Sequence, residues 1–278
     1  MILLLTNCRK DPVLEVGSSV GDIEIYVRST RDSWAVFSYN QYRQLLLELT
    51  KDKYVVRTLN DFRSYHDSTK IVVGLRHDVD WHPFKAVEMA QFEYDLELQS
   101  TWYILPTAPY FASLELGEIF RYSSMAPVYK SLSNLNHEVG IHNDLLTTMA
   151  VYGFDPFDAN AEDTKFIREM GIRIYGTASH GAKIAQETHV LNYEIFSDFA
   201  RNSSFSYKGK SYPLGKYSMA QYGFQYEAYH LDYDLYLSDV GGVWNVEGGR
   251  FSDFLRELKE VKVGTRVVIL VHPVWWGV

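Results

Sequence analysis

The chain has a single cysteine, Cys8, among its 278 residues, so it cannot form a disulfide within itself. It also lacks a cluster of lysine or arginine, and its formal net charge is −8, which excludes the positive footprint typical of nucleic-acid binding. Its apolar runs, such as Val267 to Val271, are far shorter than the ~20 residues that cross a bilayer. These absences favour a soluble protein of a reducing compartment, and we expect it in the cytoplasm.

The amino terminus begins with a short apolar run, Met1 to Leu5, which polar and basic residues follow at once. That run is too short for the apolar segment of a signal peptide, so it predicts a first β-strand. Cys8 lies just behind this run. We interpret it as a buried apolar filler and not as a nucleophile.

The composition is that of one large folded unit. Apolar residues make up 46% of the chain, which is enough to build one buried core. No linker, repeat or low-complexity segment interrupts the sequence, so we predict a single domain over residues 1–278.

Short β-type runs alternate with segments of helical period, which is typical of a parallel sheet covered by helices in an α/β layered or barrel fold. Ile71 to Leu75 is almost continuously apolar, as a strand buried on both faces requires, and Pro83 is suited to open the next helix. The stretch 186–233 has poor periodicity and predicts an elaborated loop region over the site. The predicted strands are 1–5, 54–56, 71–75, 101–105, 138–142, 172–178, 235–237 and 266–271, and the predicted helices are 39–49, 84–98, 127–135, 162–170 and 251–261.

Polar side chains follow the ends of five predicted strands. The carboxyl ends of parallel strands meet at one edge of a sheet, which is where catalytic groups collect. The side chains that we expect to converge there are Asp78, Asp80, His142, His180, Asp239 and His272.

Asp78 and Asp80 flank a valine, so in an extended segment both carboxylates point to the same side. One can then bind a cation while the other accepts a proton. The alternative is a pair of helix-capping residues ahead of Pro83, because aspartate is favoured at helix starts without any chemistry.

A histidine at a strand end is not by itself evidence for a metal site. Neutral imidazole is a common ligand of zinc, and His142 ends a short apolar strand, although a lone histidine is usually only a hydrogen-bonded residue. His77 points to the face opposite Asp78, and His82 falls at a helix start, so we interpret both as structural.

Four motifs occur in one order across the chain: Asp78–Asp80, His137–His142, Ser238–Trp244 and Leu270–Pro273. This ordered set resembles the polysaccharide deacetylase family, also called carbohydrate esterase family four or the NodB-homology domain. The likeness spans residues 71–276 and is nearest to a divergent branch associated with bacterial surface-polysaccharide synthesis. It implies a distorted (β/α) barrel, with residues 1–70 as an elaboration packed on it, and a divalent metal, with zinc favoured.

The resemblance also implies roles for individual residues. By position, Asp78 matches the general base, Asp80 and His142 match metal ligands, and His272 matches the acid that Asp239 orients. The residues expected to contact the substrate are Arg76, Trp244, Leu270 and Trp275, while Trp275 and Trp276 are further candidates for stacking on sugar, with burial as the alternative.

One position departs from the family pattern. The second metal histidine would lie four residues after His142, where this chain has Leu146, and leucine cannot ligate a metal. The replacement candidates are Asp144 and His180, and we favour His180 because strand ends converge. A turn residue or a substrate hydrogen bond is the other interpretation of His180.

The implied function is removal of an N-acetyl group from an amino sugar, in free, nucleotide-linked or lipid-linked form, as a surface-polysaccharide (O-antigen or capsule) precursor. One rival is another metal-dependent amidohydrolase, because a fold does not fix its substrate. The second rival is a catalytically silent carbohydrate-binding protein, which Leu146 favours.

Overall fold

The computed structural model describes residues 34–115 and 117–277, so the predicted strand at Met1 to Leu5 and the residue Cys8 lie outside the described residues. The helices are α1 (Tyr39–Leu49), α2 (Leu59–Phe62), α3 (Pro83–Tyr94), α4 (Ala126–Asn134), α5 (Leu145–Ala150), α6 (Pro156–Arg168), α7 (Lys183–Thr188) and α8 (Phe251–Glu260). The strands are β1 (Tyr54–Arg57), β2 (Ile71–Val79), β3 (Thr101–Ile104), β4 (Ala112–Glu115), β5 (Glu118–Arg121), β6 (Glu138–Asn143), β7 (Gly176–Ser179), β8 (Ser204–Tyr207), β9 (Lys210–Pro213), β10 (Tyr226–Glu227), β11 (Leu235–Ser238) and β12 (Arg266–Val271).

Eight strands form one parallel sheet, in which the path β10-β7-β6-β3-β2-β12-β11 is hydrogen-bonded in that order. The long strand β2 pairs with β12 along one side, and it pairs first with β1 and then with β3. Every residue of β2, β3, β6, β7 and β12 is buried, as a parallel sheet covered on both faces requires. The mixed α/β class is therefore confirmed.

The sheet curls into a half-barrel, because residues of distant strands meet on its inner face. The hydroxyl of Tyr103 on β3 donates to that of Tyr226 on β10 at 2.9 Å, although β6 and β7 lie between these strands. On the outer face, Ile71, Val73 and Leu75 of β2 pack into the larger core. The inner face is the more polar of the two, and it leads to the site.

Two glycines make room for the inner tyrosines. A methyl group on Gly140 would lie 2.4 Å from the ring of Tyr103, and one on Gly176 would lie 2.0 Å from the ring of Tyr226. Both are closer than real carbon contacts, so the curl of the sheet depends on these two positions.

Gly176→Ala is therefore expected to lower the free energy of unfolding by at least about 1–3 kcal/mol, because the added methyl overpacks the barrel interior. Gly181→Ala is the matched control, since its methyl would meet no atom within 4 Å. Urea denaturation of both variants measures the difference. Equal stability of the two would show that Tyr226 yields and that the interior is not tightly packed.

Helix α6 corrects a predicted boundary. The helix was expected from Glu162 but begins at Pro156, because the Asp155 carboxylate accepts hydrogen bonds from the backbone of Phe157 and Asp158. Proline at the first position loses no intrahelical bond. The apolar pattern alone located only the second half of the helix.

The stretch 186–233, predicted as an elaborated loop region, contains the short hairpin of β8 and β9 and the two-residue strand β10. It does reach the site, since Asn192 donates from its side chain to the carbonyl of His180 at 2.8 Å. No helix among the described residues is both long and apolar enough to span a membrane.

Candidate metal centre

Three side chains gather at the carboxyl ends of three strands of the parallel sheet. Asp80 directly follows β2, His142 lies near the end of β6, and His180 directly follows β7. One ligand atom from each lies within 4.8 Å of the others, which is a group that could hold a metal ion. The three residues predicted as metal ligands are therefore brought together.

Asp80 provides the shared carboxylate of this group. Its Oδ1 lies 3.3 Å from Nε2 of His142 and 4.0 Å from Nε2 of His180. That oxygen is buried and makes no hydrogen bond within the described residues. Burial raises the pKa of Asp80, but the neighbouring histidines His142, His272 and His180 outweigh it and lower the pKa. A buried, ionised oxygen without a hydrogen bond fits a cation ligand.

The ring of His142 is already oriented for ligation. Its Nδ1 lies 2.9 Å from the carbonyl oxygen of Ala178, which can only accept a hydrogen bond. A neutral His142 must therefore carry its proton on Nδ1, so the lone pair of Nε2 faces Asp80. Metal-binding histidines commonly use their second nitrogen in this way.

Asp144 contacts Nδ1 of His180, whereas Nε2 of the same ring faces Asp80. The Oδ2 of Asp144 is 3.4 Å from Nδ1 of His180 and accepts a hydrogen bond from Thr107 at 2.9 Å. Burial lowers the pKa of His180, but Asp144, followed by Asp80 and Asp78, outweighs burial and raises this pKa to about 9. Of the two replacements considered for Leu146, His180 thus faces the group and Asp144 orients it, while Leu146 itself is buried.

Asp78 stands beside the metal group in a buried ion pair. Arg76 donates to it from Nε at 2.8 Å and from Nη2 at 2.7 Å, and Asp78 Oδ2 is 3.4 Å from Nε2 of His142. Burial raises the pKa of Asp78, but the charge and hydrogen bonds of Arg76 together with the charges of His142 and His272 outweigh burial and lower this pKa, so the carboxylate is ionised at neutral pH. The alternative of a helix-capping pair is not what the structure shows, since His82 occupies the cap position of α3.

Arg76 is buried against Asp78. The guanidinium binds Asp78 through Nε and Nη2 and stacks over the ring of Tyr229 at 4.4 Å, while its Nη1 is buried and has no hydrogen-bond partner among the described residues. A substrate contact by Arg76 remains a prediction. Arg76 and Asp78 are two residues apart in β2, so strand alternation places them on the same face.

His272 is held by Asp239 on the other side of Asp78. Asp239 Oδ1 lies 2.6 Å from Nδ1 of His272, and its Oδ2 accepts from Nε1 of Trp276 at 2.8 Å. Burial lowers the pKa of His272, but Asp239 most strongly, followed by Asp80 and Asp78, raises it to about 9. At neutral pH the imidazole of His272 is therefore protonated.

Asp239→Asn is expected to bring the pKa of His272 from about 9 to near or below the ordinary value of 6.5. Burial lowers this pKa, and the Asp239 charge that most strongly offsets burial is then absent. A raised pKa means that the charged ring stabilises the fold at low pH and that this contribution is lost as pH rises through about 9. Nuclear magnetic resonance of the ring measures the titration. Asp232→Asn, at a carboxylate that is 86% exposed, is the control. A pKa still near 9 in Asp239→Asn would contradict the assignment.

Two tryptophans near the carboxyl end are buried. Trp244 stacks on Phe254 with 3.6 Å between ring centroids, and its contact with a substrate remains a prediction. Trp276 is fully buried, which is the alternative to stacking on sugar. Trp275 is partly exposed. Leu270 pairs in register with Arg76 and is buried on β12, so substrate contacts by Trp275 and Leu270 remain predictions.

His77 and His82 are structural, as expected. His77 lies on the outer face of β2, where its Nε2 is 2.6 Å from Glu93 and its ring stacks on Trp102 at 3.8 Å. His82 is buried and begins α3 in the left-handed conformation, with φ of 58°. Neither ring belongs to the metal group.

Sequence reasoning missed Glu227, which lies deep beside the site. Its carboxylate accepts from the backbone N–H of Ser179 at 2.9 Å and from that of Tyr229 at 2.7 Å. Burial raises the pKa of Glu227 to about 7 against the lowering effect of Arg76. Glu227 thereby fixes the segment that carries His180. It follows no recognisable strand pattern, so the sequence offered no signal for it.

Comparisons with models of protein families, with curated proteins and with solved structures found no match. The class of this protein therefore rests on its own geometry. It is an α/β protein with a curled parallel sheet, whose carboxyl edge carries a candidate metal centre of Asp80, His142 and His180.

Proposed function

We propose that the protein is a metal-dependent hydrolase that removes the N-acetyl group from an amino sugar, and that its fold is a distorted barrel of the polysaccharide deacetylase type. The observation that carries this proposal is the pair of groups beside the candidate metal centre. Ionised Asp78 and protonated His272 lie at the same carboxyl edge of the sheet as Asp80, His142 and His180. Amide hydrolysis needs a base, an acid and an electrophile in one place.

Two imidazoles and one carboxylate suit zinc, and three protein ligands leave a position open for catalysis. When bound, such a metal polarises the amide carbonyl and makes water more acidic. Its ligands in this proposal are Asp80, His142 and His180.

The chain's own residues supply the proton transfers. Asp78 takes a proton as the oxygen of water bonds to the acetamide carbon, and Arg76 keeps that carboxylate ionised and fixed. His272 gives its proton to the nitrogen as the C–N bond breaks, and Asp239 holds the ring in position. The products are acetate and a free amine on the sugar.

The silent carbohydrate-binding alternative drew its support from Leu146. That support weakens because His180 lies where a third ligand is needed, with Asp144 behind it. A binding protein has no evident need for two oppositely tuned groups at the same edge, which Asp78 and His272 provide.

The proposal is tested by product analysis with zinc-loaded protein and three acetylated substrates: a free amino sugar, a nucleotide-linked one and a lipid-linked one. We expect acetate and the free amine in equal amounts from at least one of them, and no acetate from the His272→Ala variant. Formate or another acid from other amides, without acetate, would favour the rival amidohydrolase. No product from any of these substrates would overturn the proposal in favour of the silent protein.

A further inference from the structure

A cavity separate from the metal group lies between the segment after α5, the start of α6 and the region around β9. Its volume is about 530 Å³, and the residues that line it include Tyr152, Phe157, Tyr212, Tyr217, Tyr222 and Lys216. None of the three candidate metal ligands is among its lining residues. We call this cavity, together with the residues that line it, the tyrosine pocket.

The aromatic rings of the tyrosine pocket form a supported platform. Phe157 packs on Tyr217 with 4.4 Å between ring centroids, and Tyr222 packs edge-on against Phe157 at 5.0 Å. Tyr222 is buried beneath them, while Tyr217 is partly exposed and Tyr152 is 37% exposed. Flat apolar ring faces and phenolic hydroxyls are thus presented together, which suits a ligand with both C–H faces and hydroxyl groups.

The charges around the pocket are mixed. Lys210 and Lys216 are exposed at its edge, and Asp155 lines it too. The pKa of Lys216 is raised first by Tyr217 and then by the charges of Asp155 and Asp158. These two carboxylates therefore offset the positive charge at the pocket. With Asp158 nearby, two carboxylates balance the two lysines, so the pocket offers no net positive charge to hold a polyanion such as a nucleoside diphosphate, whereas a neutral polyhydroxylated ligand needs none.

Helix α5 connects the pocket to the metal group. It begins directly after Asp144, which contacts His180, and it ends at Ala150, which lines the pocket. Six helical residues span about 9 Å. Tyr152 lies beyond the helix end. Burial, followed by the charge of Asp144, raises its pKa.

We infer that the tyrosine pocket binds a neutral sugar unit at a distance from the metal centre, so that the substrate is an oligosaccharide reaching both places. The link to the substrate rests on the proposed function, whereas sugar binding by the pocket does not. A stacking platform, mixed charges and a place beside the metal group together point to this ligand class.

The test uses the full chain carrying Asp80→Asn, which prevents turnover, with the N-acetylglucosamine disaccharide and trisaccharide as probes. Saturation-transfer nuclear magnetic resonance and calorimetry measure binding. We expect the trisaccharide to bind and Tyr217→Ala to weaken it about fivefold to tenfold, as for one lost aromatic contact. Tyr94→Ala is the matched control, since Tyr94 is 44% exposed on α3 and does not line the pocket.

Tyr152→Ala is the second pocket variant, because Tyr217 packs on neighbouring rings and its loss could disturb the fold. Thermal melting identifies any unfolded variant. Failure of both saccharides to bind, or equal binding by both pocket variants and the parent, overturns the inference. Binding that persists in a protein that releases no acetate would remove the proposed function and leave the pocket in place.

Discussion

Asp78→Asn is expected to slow amide hydrolysis by about 10²–10⁴-fold, the range typical of a lost general base. Asparagine matches the shape of aspartate and can still accept a hydrogen bond from Arg76, but its neutral amide cannot take the proton from water. The metal content should stay unchanged, because the ligand group consists of Asp80, His142 and His180.

The rate is followed as acetate release under saturating zinc, with metal content measured on the same samples. Asp144→Asn is a useful comparison, since it changes a carboxylate at the same edge that contacts His180 and not Asp78. Activity of Asp78→Asn near that of the parent protein would remove Asp78 as the base.

Arg76→Met is expected to destabilise the fold by about 3–5 kcal/mol, because it leaves the Asp78 carboxylate buried without its partner. The double variant Arg76→Met with Asp78→Asn should recover part of this loss, since no unpaired charge then remains. The pKa of Asp78 is lowered in the fold, so the ion pair stabilises at neutral pH and its contribution is lost only as pH falls below the ordinary value of 3.8.

Arg250→Met offers a matched control for this loss. Arg250 also binds an aspartate through two nitrogens, at 2.6 and 3.0 Å from Asp253, but its side chain is 74% exposed. Asp253 is itself only 3% exposed, but it keeps Arg256 at 3.2 Å as a second partner, and Arg250 reaches it from the solvent side, so a much smaller effect is expected. Urea denaturation, which adds no salt, compares the three variants with the parent protein. Equal destabilisation by Arg76→Met and Arg250→Met would contradict the account of a buried, mutually dependent pair.

The sequence predicted the convergence of the site because the position of each strand and of the polar residue at its end is a local property, and parallel strands bring those ends to one edge. The apolar run at Ile71 to Leu75 located β2, and its alternation placed Asp78 and Asp80 at one edge. The ends of β6 and β7 then brought His142 and His180 beside them. Even the pairing of Arg76 with Asp78 could be predicted from alternation, since the two residues are two positions apart in one strand.

The rest depends on contacts that the local pattern does not contain. The burial of Trp244 follows from its packing on Phe254 in α8, and the position of Glu227 follows from a two-residue strand. The tyrosine pocket joins residues from 149–157 with residues from 195–222, which only the folded chain brings together. The start of α6 was missed because its cap precedes the apolar pattern.

Metal content tests the central claim most directly. Protein purified without chelator and then equilibrated with zinc should hold about one metal ion per chain, as expected for one three-ligand site. Asp80→Ala, His142→Ala and His180→Ala should each lose it, whereas His230→Ala, an exposed histidine that stacks on Phe199, should keep it. Parent protein without zinc after equilibration, or full zinc retention by all three ligand variants, would contradict the metal centre.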